Sequence, residues 1–97
     1  MHIISKKKWK EFWAEYPDAE PGLKNWHRVT EKANWKCFAD VRLVYGNADQ
    51  IDGKFTIFNI GGNKYRLITA IHFNTGRVYI RRIMTHKEYD KGEWKKD

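Results

Sequence analysis

The residues best suited to chemistry crowd into the last third of the chain. Lys64, Arg66, His72, Tyr79, Arg81 and Arg82 come first, followed at once by Met84-Thr85-His86-Lys87-Glu88-Tyr89-Asp90-Lys91. That final run sets imidazole, phenol, carboxylate and ammonium groups next to an arginine-bearing segment. These are the groups that cleave RNA without a metal. A base takes the 2′-OH proton, cations hold the pentavalent phosphate, and an acid protonates the leaving 5′-oxygen. Histidine is the side chain best suited to acid–base work near neutral pH, and His86 supplies one. Tyr89 or Lys87 would serve only if neighbouring cations lowered its pKa toward neutrality. Guanidinium forks suit bidentate phosphate binding, and Tyr79 and His72 offer rings on which bases stack. Each feature also has a plain structural explanation. Exposed faces of antiparallel sheets are commonly charged, and edge lysines discourage aggregation. His86 would then be a helix-start residue with a local hydrogen bond. Residue types alone leave both readings open.

Other chemistries lack their residues. His2, His27, His72 and His86 are scattered, with no HxxxH pair and no cysteine at ligand spacing, so no metal site is expected. Cys37 is the single cysteine and supports neither an internal disulfide nor a CxxC motif. The chain has no P-loop, GxGxxG or GxSxG motif, and no cofactor is expected.

The elements that must position these groups follow from hydrophobic period. His2-Ile3-Ile4 reads as a short strand, and Ser5 as the cap of a helix over residues 6–16. Trp9, Phe12, Trp13 and Tyr16 fall at i, i+3, i+4 and i+7, an aromatic stripe that belongs in a core. Pro17 and Asp18 end that helix. A second begins near Glu20-Pro21 and carries Leu23, Trp26, Val29 and Ala33 toward Trp35. Two helices so closely joined should form an antiparallel hairpin. Residues 36–53 read as an irregular connection with the length of a binding loop. Beyond it the period changes to that of strands, at 54–60, 64–73 and 77–84, separated by Gly61-Gly62 and Thr75-Gly76 turn signals. The expected order is β-α-α-β-β-β with a short C-terminal segment. The fold class is α+β, with the helical hairpin packed on one face of a mostly antiparallel sheet.

With two-residue turns at both glycine sites, one sheet face collects Arg66, Ile68, Ala70 and His72 with Tyr79, Arg81 and Ile83. Ile57 and Asn59 join it, and Lys64 stands at its margin. The other face takes Tyr65, Leu67, Thr69, Ile71, Phe73, Val78, Ile80 and Met84, and is nearly all apolar. Arg82 is its exception.

At 97 residues the chain has room for one core, so a single domain over 1–97 is expected. Its 41% hydrophobic and 15% aromatic content argues against disorder. No run reaches the ~18 apolar residues of a membrane helix, and the N-terminus is too short in its apolar part for a secretory signal. A reducing cytoplasm is the simplest home. The formal charge of +7, with a pI near 9.6, directs the domain toward polyanions: nucleic acid, a ribosome, an acidic protein or a membrane surface.

The run from Phe58 to Ile68 (FNIGGNKYRLI), then Tyr79-Ile80-Arg81, then Thr85-His86-Lys87-Glu88-Tyr89-Asp90, resembles the HigB toxins of type II toxin–antitoxin systems. Tyr16-Pro17-Asp18-Ala19, Trp26 and Asn47-Ala48-Asp49 look like that family too, so the likeness spans nearly the whole chain. The resemblance implies a RelE-like fold and an mRNA endonuclease acting without metal on ribosome-bound transcripts. Its products would carry a 2′,3′-cyclic phosphate and a 5′-OH. A HigA-type helix-turn-helix antitoxin would neutralise it. The matching site positions are Lys64, Arg66, Arg81, His86 and Tyr89. Arg66 and Arg81 would hold the phosphate, His86 or Tyr89 would act as base or acid, and Lys64 would assist. Asn63, His72, Tyr79, Arg82 and Lys87 are the candidate RNA contacts. The rival readings are a non-catalytic RNA- or ribosome-binding module, an inactive toxin copy, and a domain whose basic face meets an acidic protein.

Overall fold

Period and stop signals translate directly into the first half of the fold. The structure, a computed structural model, describes residues 1–4 and 7–96, so the Ser5 cap lies outside the described residues. Strand β1 spans His2–Ile4 and helix α1 spans Lys7–Glu15. Pro17 opens a 3-10 turn, Pro17–Ala19, that leads into α2 at Glu20–Lys32, with Pro21 in its first turn. The Trp9 ring lies 4.8 Å from His27, and Lys24 sits 5.4 Å over Trp13. Advancing along α1 thus retreats along α2, the antiparallel hairpin that the short connection predicts. Helix α2 stops at Lys32 rather than near Trp35, because Ala33 turns to extended backbone.

The connection at 36–53 is not irregular throughout. It holds helix α3 (Phe38–Val44) and an edge strand, β2 (Asp49–Ile51). The Lys36 N–H donates to the Asp40 carboxylate at 2.9 Å, and Val41 is fully buried. Trp35 and Tyr45 both pack on Phe58. One buried apolar residue in seven leaves too little periodicity for a helix to stand out in the sequence.

Strands β3 (Phe55–Ile60), β4 (Tyr65–His72) and β5 (Arg77–Thr85) complete a five-stranded sheet in the order β1-β5-β4-β3-β2, with β1 parallel to β5 and the other pairs antiparallel. Helix α4 (His86–Lys91) and a 3-10 segment, Glu93–Lys96, follow. Both hairpin loops are longer than two residues. Ile60 pairs with Tyr65, and His72 with Arg77. Each ladder is displaced by an even number, so Ile57 and Asn59 still share a face with Arg66 and Ile68, and Tyr79 still shares one with Ala70 and His72.

Beyond Ile80 the expected grouping fails. Thr69 pairs with Ile80 but Ile68 pairs with Arg82, leaving Arg81 as the extra residue of a β-bulge. The bulge reverses the rest of β5. Arg82 and Met84 join the Arg66 face, and Ile83 turns to the opposite one. The Arg81–Ile83 pairing on the mixed face and the placing of Met84 beneath the helices are thus corrected. Ile83 packs against the large core built by α1, α2 and α3, whose centre includes Leu23, Trp26, Val41, Phe58, Leu67 and Val78. Met84 joins a second core on the other face, with Ile57, Ile68 and Trp94. The C-terminal segment therefore covers part of the face that the sequence suggested was open. No helix among the described residues is long and apolar enough to cross a membrane.

Candidate active site

Strand alternation aims Arg66 away from the helical core, and the C-terminal segment then folds over it, leaving it only 7% exposed. Its charge is held by acceptors from the β3–β4 turn. One terminal nitrogen donates to the Asn63 Oδ1 at 2.8 Å. The other donates to the main-chain carbonyls of Asn63 at 3.3 Å and Tyr65 at 3.2 Å. A guanidinium has five donors, so these contacts fix the fork and leave two for a ligand. The Arg66 Cζ lies 5.6 Å from the centre of the Tyr89 ring, a cation–π contact. Trp94 stacks on Tyr89 at 5.3 Å and 13°.

Burial is the largest influence on Tyr89 and raises its pKa. Asp49 and Asp90 add to the rise, and Arg66 opposes it. The shift runs opposite to the one a tyrosine base would need. Tyr89 is a protonated phenol at neutral pH and is suited to donate.

His86 opens α4 behind the Thr85 cap, where Thr85 and Glu88 form a reciprocal capping box. Its main-chain N–H donates to the Lys64 carbonyl at 2.9 Å, joining α4 to the same turn that holds Arg66. The His86 Nδ1 is shielded and lies 3.1 Å from the Asp90 Oδ2, close enough to pair with a protonated ring though not aligned as a hydrogen bond. The side chain keeps 42% exposure, so Nε2 is the nitrogen left for a substrate.

The other candidates are distributed differently. The Lys64 Nζ turns to the helical side and pairs with Asp18 at 3.2 Å. Asn63 spends its side-chain oxygen on Arg66. Lys87 is exposed on α4. Arg81 and Arg82 are exposed and line a groove of about 570 Å³, together with Lys8, Phe12, Phe55 and Trp94. The Arg81 carbonyl also accepts from Lys8 at 3.0 Å. His72 and Tyr79 meet edge-on at 5.1 Å, but at the far end of the hairpin, about 20 Å from Arg66 at ~3.3 Å per residue. Arg66 and Tyr89 are thus in contact, His86 is tied by its backbone to the turn that holds Arg66, Arg82 shares the Arg66 face, and His72 and Tyr79 stand apart.

Three further residues bear on the site. Asp90 could have been found from its i,i+4 spacing to His86. Asp18 acts through Lys64 and Tyr65, which are distant in sequence, and Trp94 lies five residues past Tyr89, at no helical spacing.

Residues 19–92 match the HigB toxin family, described as the RelE-like toxic component of a toxin–antitoxin system. The chain is 33% identical over 92 residues to the mRNA interferase toxin HigB of Escherichia coli K12, covering 93% of this chain and 88% of that protein. It has the same identity and coverage with the mRNA interferase HigB of Shigella flexneri. With that of Escherichia coli O6:H1 it is 32% identical over 93 residues, covering 94% and 90% of the two chains. The family match spans β2 to β5, the β3–β4 turn and α4, the relatives cover more than nine-tenths of the chain, and by both this chain belongs to the HigB toxin family.

Proposed function

We infer that this protein is the toxin of a toxin–antitoxin pair and an endoribonuclease that cleaves mRNA, as the names of its relatives say of them. The 2′-OH attacks the adjacent phosphorus, the P–O2′ bond forms and the P–O5′ bond breaks. The products are a 2′,3′-cyclic phosphate and a 5′-OH. His86, through Nε2, takes the 2′-OH proton, and Asp90 steadies the imidazolium that results. Arg66 uses its two remaining donors on the phosphate oxygens, where charge develops in the transition state. Tyr89 protonates the leaving 5′-oxygen. Arg81, Arg82 and Lys87 hold the flanking backbone, and the ribosome presents the message. A HigA-type helix-turn-helix protein is the antitoxin, and the cytoplasm is the site of action.

The observation that carries this reading is the Arg66 guanidinium, immobilised by three acceptors and laid on a phenol that stays protonated. Induced expression in bacteria tests it, with growth and primer extension on an abundant mRNA followed for wild type and Arg66→Ala. Growth arrest with cuts inside translated regions, both lost in the variant, is expected. Normal growth with intact message, given soluble wild-type protein, would favour a binding module.

A further inference from the structure

We propose, resting on the reading of Arg66 and His86 as active-site groups, that Asp18 is a positioning residue acting on both through the β3–β4 turn. Asp18 lies on the helical side of the sheet, in the 3-10 turn between α1 and α2. Its Oδ1 accepts from the Tyr65 hydroxyl, and its Oδ2 from the Lys64 ammonium at 3.2 Å. Tyr65 is buried and wedged against Phe12 and Tyr16, with ring centres 5.3 and 5.7 Å away. Its hydroxyl therefore has one fixed place to point.

The same residues face the site with their other groups. The carbonyls of Asn63 and Tyr65 and the Asn63 side chain hold Arg66, and the Lys64 carbonyl holds the first N–H of α4 at His86. Two residues in sequence thus join Asp18 on one face to Arg66 and His86 on the other. The Lys64–Asp18 pair is more than half exposed on both sides and contributes little by itself. The phenol–carboxylate bond is charge-assisted and anchored in the core, so it is the stronger tie. Loosening it frees the turn, and a misplacement of about 1 Å at the reacting groups lowers turnover about 10²-fold.

Cleavage kinetics on ribosomes programmed with a defined mRNA test this, with thermal melts run alongside. Asp18→Ala is expected to lower kcat by about 10- to 100-fold with little change in KM. Asp18→Asn keeps an acceptor for the Tyr65 hydroxyl and should restore most of the rate. Tyr65→Phe keeps the ring packing and should fall as Asp18→Ala does, which preserves the test if Asp18→Ala folds poorly. Because both residues act on Arg66 through one turn, Asp18→Ala combined with Asn63→Ala should cost less than the product of the two single losses. Wild-type kcat in folded Asp18→Ala or Tyr65→Phe, or losses that multiply in the double variant, would overturn the proposal. Full activity in Arg66→Ala would instead remove the active-site reading itself. An inactive Arg66→Ala beside a fully active Asp18→Ala would remove only the role of Asp18.

Discussion

The guanidinium of Arg66 lies over the ring of Tyr89, with 5.6 Å between Cζ and ring centre, and so joins the middle of the sheet to the C-terminal helix. The cation is nearly buried, the phenol stays protonated, and both are fixed before any RNA arrives. A site so arranged needs little reorganisation when charge develops on a phosphate.

Arg66→Lys should therefore behave almost as Arg66→Ala. A lysine ammonium is a compact point charge and reproduces neither the fork nor the stacking. Loss of one preorganised donor of this kind lowers turnover by about 10²–10³. The acceptors left on Asn63 and Tyr65 would cost about 1–3 kcal/mol of stability. Single-turnover cleavage and thermal melting check the two effects separately.

Tyr89→Phe removes only the hydroxyl and keeps the ring beneath Arg66 and against Trp94. Loss of a general acid costs about 10²–10⁴ in rate, while the melting temperature should stay near that of wild type. The Tyr89 pKa is raised above the ordinary 10.0, so its loss of the donatable proton belongs above pH 10. A pH–rate profile in which Tyr89 imposes an alkaline limb below that value would contradict the role of acid.

The tie between Asp18 and Tyr65 has its own pH signature. Asp18 is held below its ordinary 3.8, first by the Tyr65 hydroxyl and then by Lys64. Tyr65 is pushed up from 10.0 to about 12, first by the same bond and then by burial. Stability from a depressed carboxyl is present above 3.8 and fades as pH falls through the folded value. Stability from a raised phenol is present below 10 and fades as pH rises toward 12. Ultraviolet titration of wild type against Tyr65→Phe should show a phenol ionising near pH 12, and Asp18→Asn should bring it down toward 10.

Gly22→Ala tests the seating of the β3–β4 turn by its sign. In an ordinary helix interior this change stabilises by about 1 kcal/mol. Here the new Cβ would stand 2.9 Å from the Ile60 Cγ2 and 3.1 Å from the Gly61 nitrogen. Overpacking of that kind costs about 1–3 kcal/mol, so a lower melting temperature is expected, with reduced turnover if the turn shifts. A higher melting temperature would contradict the close approach of α2 to the turn.

Much of this was legible in the residues. The aromatic stripe of α1 and the face of α2 were readable because a buried helix face must repeat near 3.6 residues. The faces of β3 and β4 survived wrong loop lengths because the errors were even. The bulge at Arg81 was not legible. Nothing in Arg77–Thr85 distinguishes one extra residue from a regular strand, yet that residue exchanges Ile83 with Met84 and brings Arg82 onto the face of Arg66. Helix α3 was hidden by its shortness. Nothing in the sequence around Trp94 marks which face it closes. Lys64 stood among the catalytic candidates, and only the fold shows that its ammonium reaches Asp18 instead.

The most direct test of the central claim is the chemistry of the cut ends. Purified protein is incubated with mRNA-programmed ribosomes, and the new termini are mapped by ligation and by phosphatase and kinase treatment. A 2′,3′-cyclic phosphate paired with a 5′-OH, formed by wild type and absent with Arg66→Ala and Tyr89→Phe, is the expected result. A 5′-phosphate beside a 3′-OH, or equal cleavage by the variants, would contradict 2′-OH attack at the Arg66–Tyr89 site.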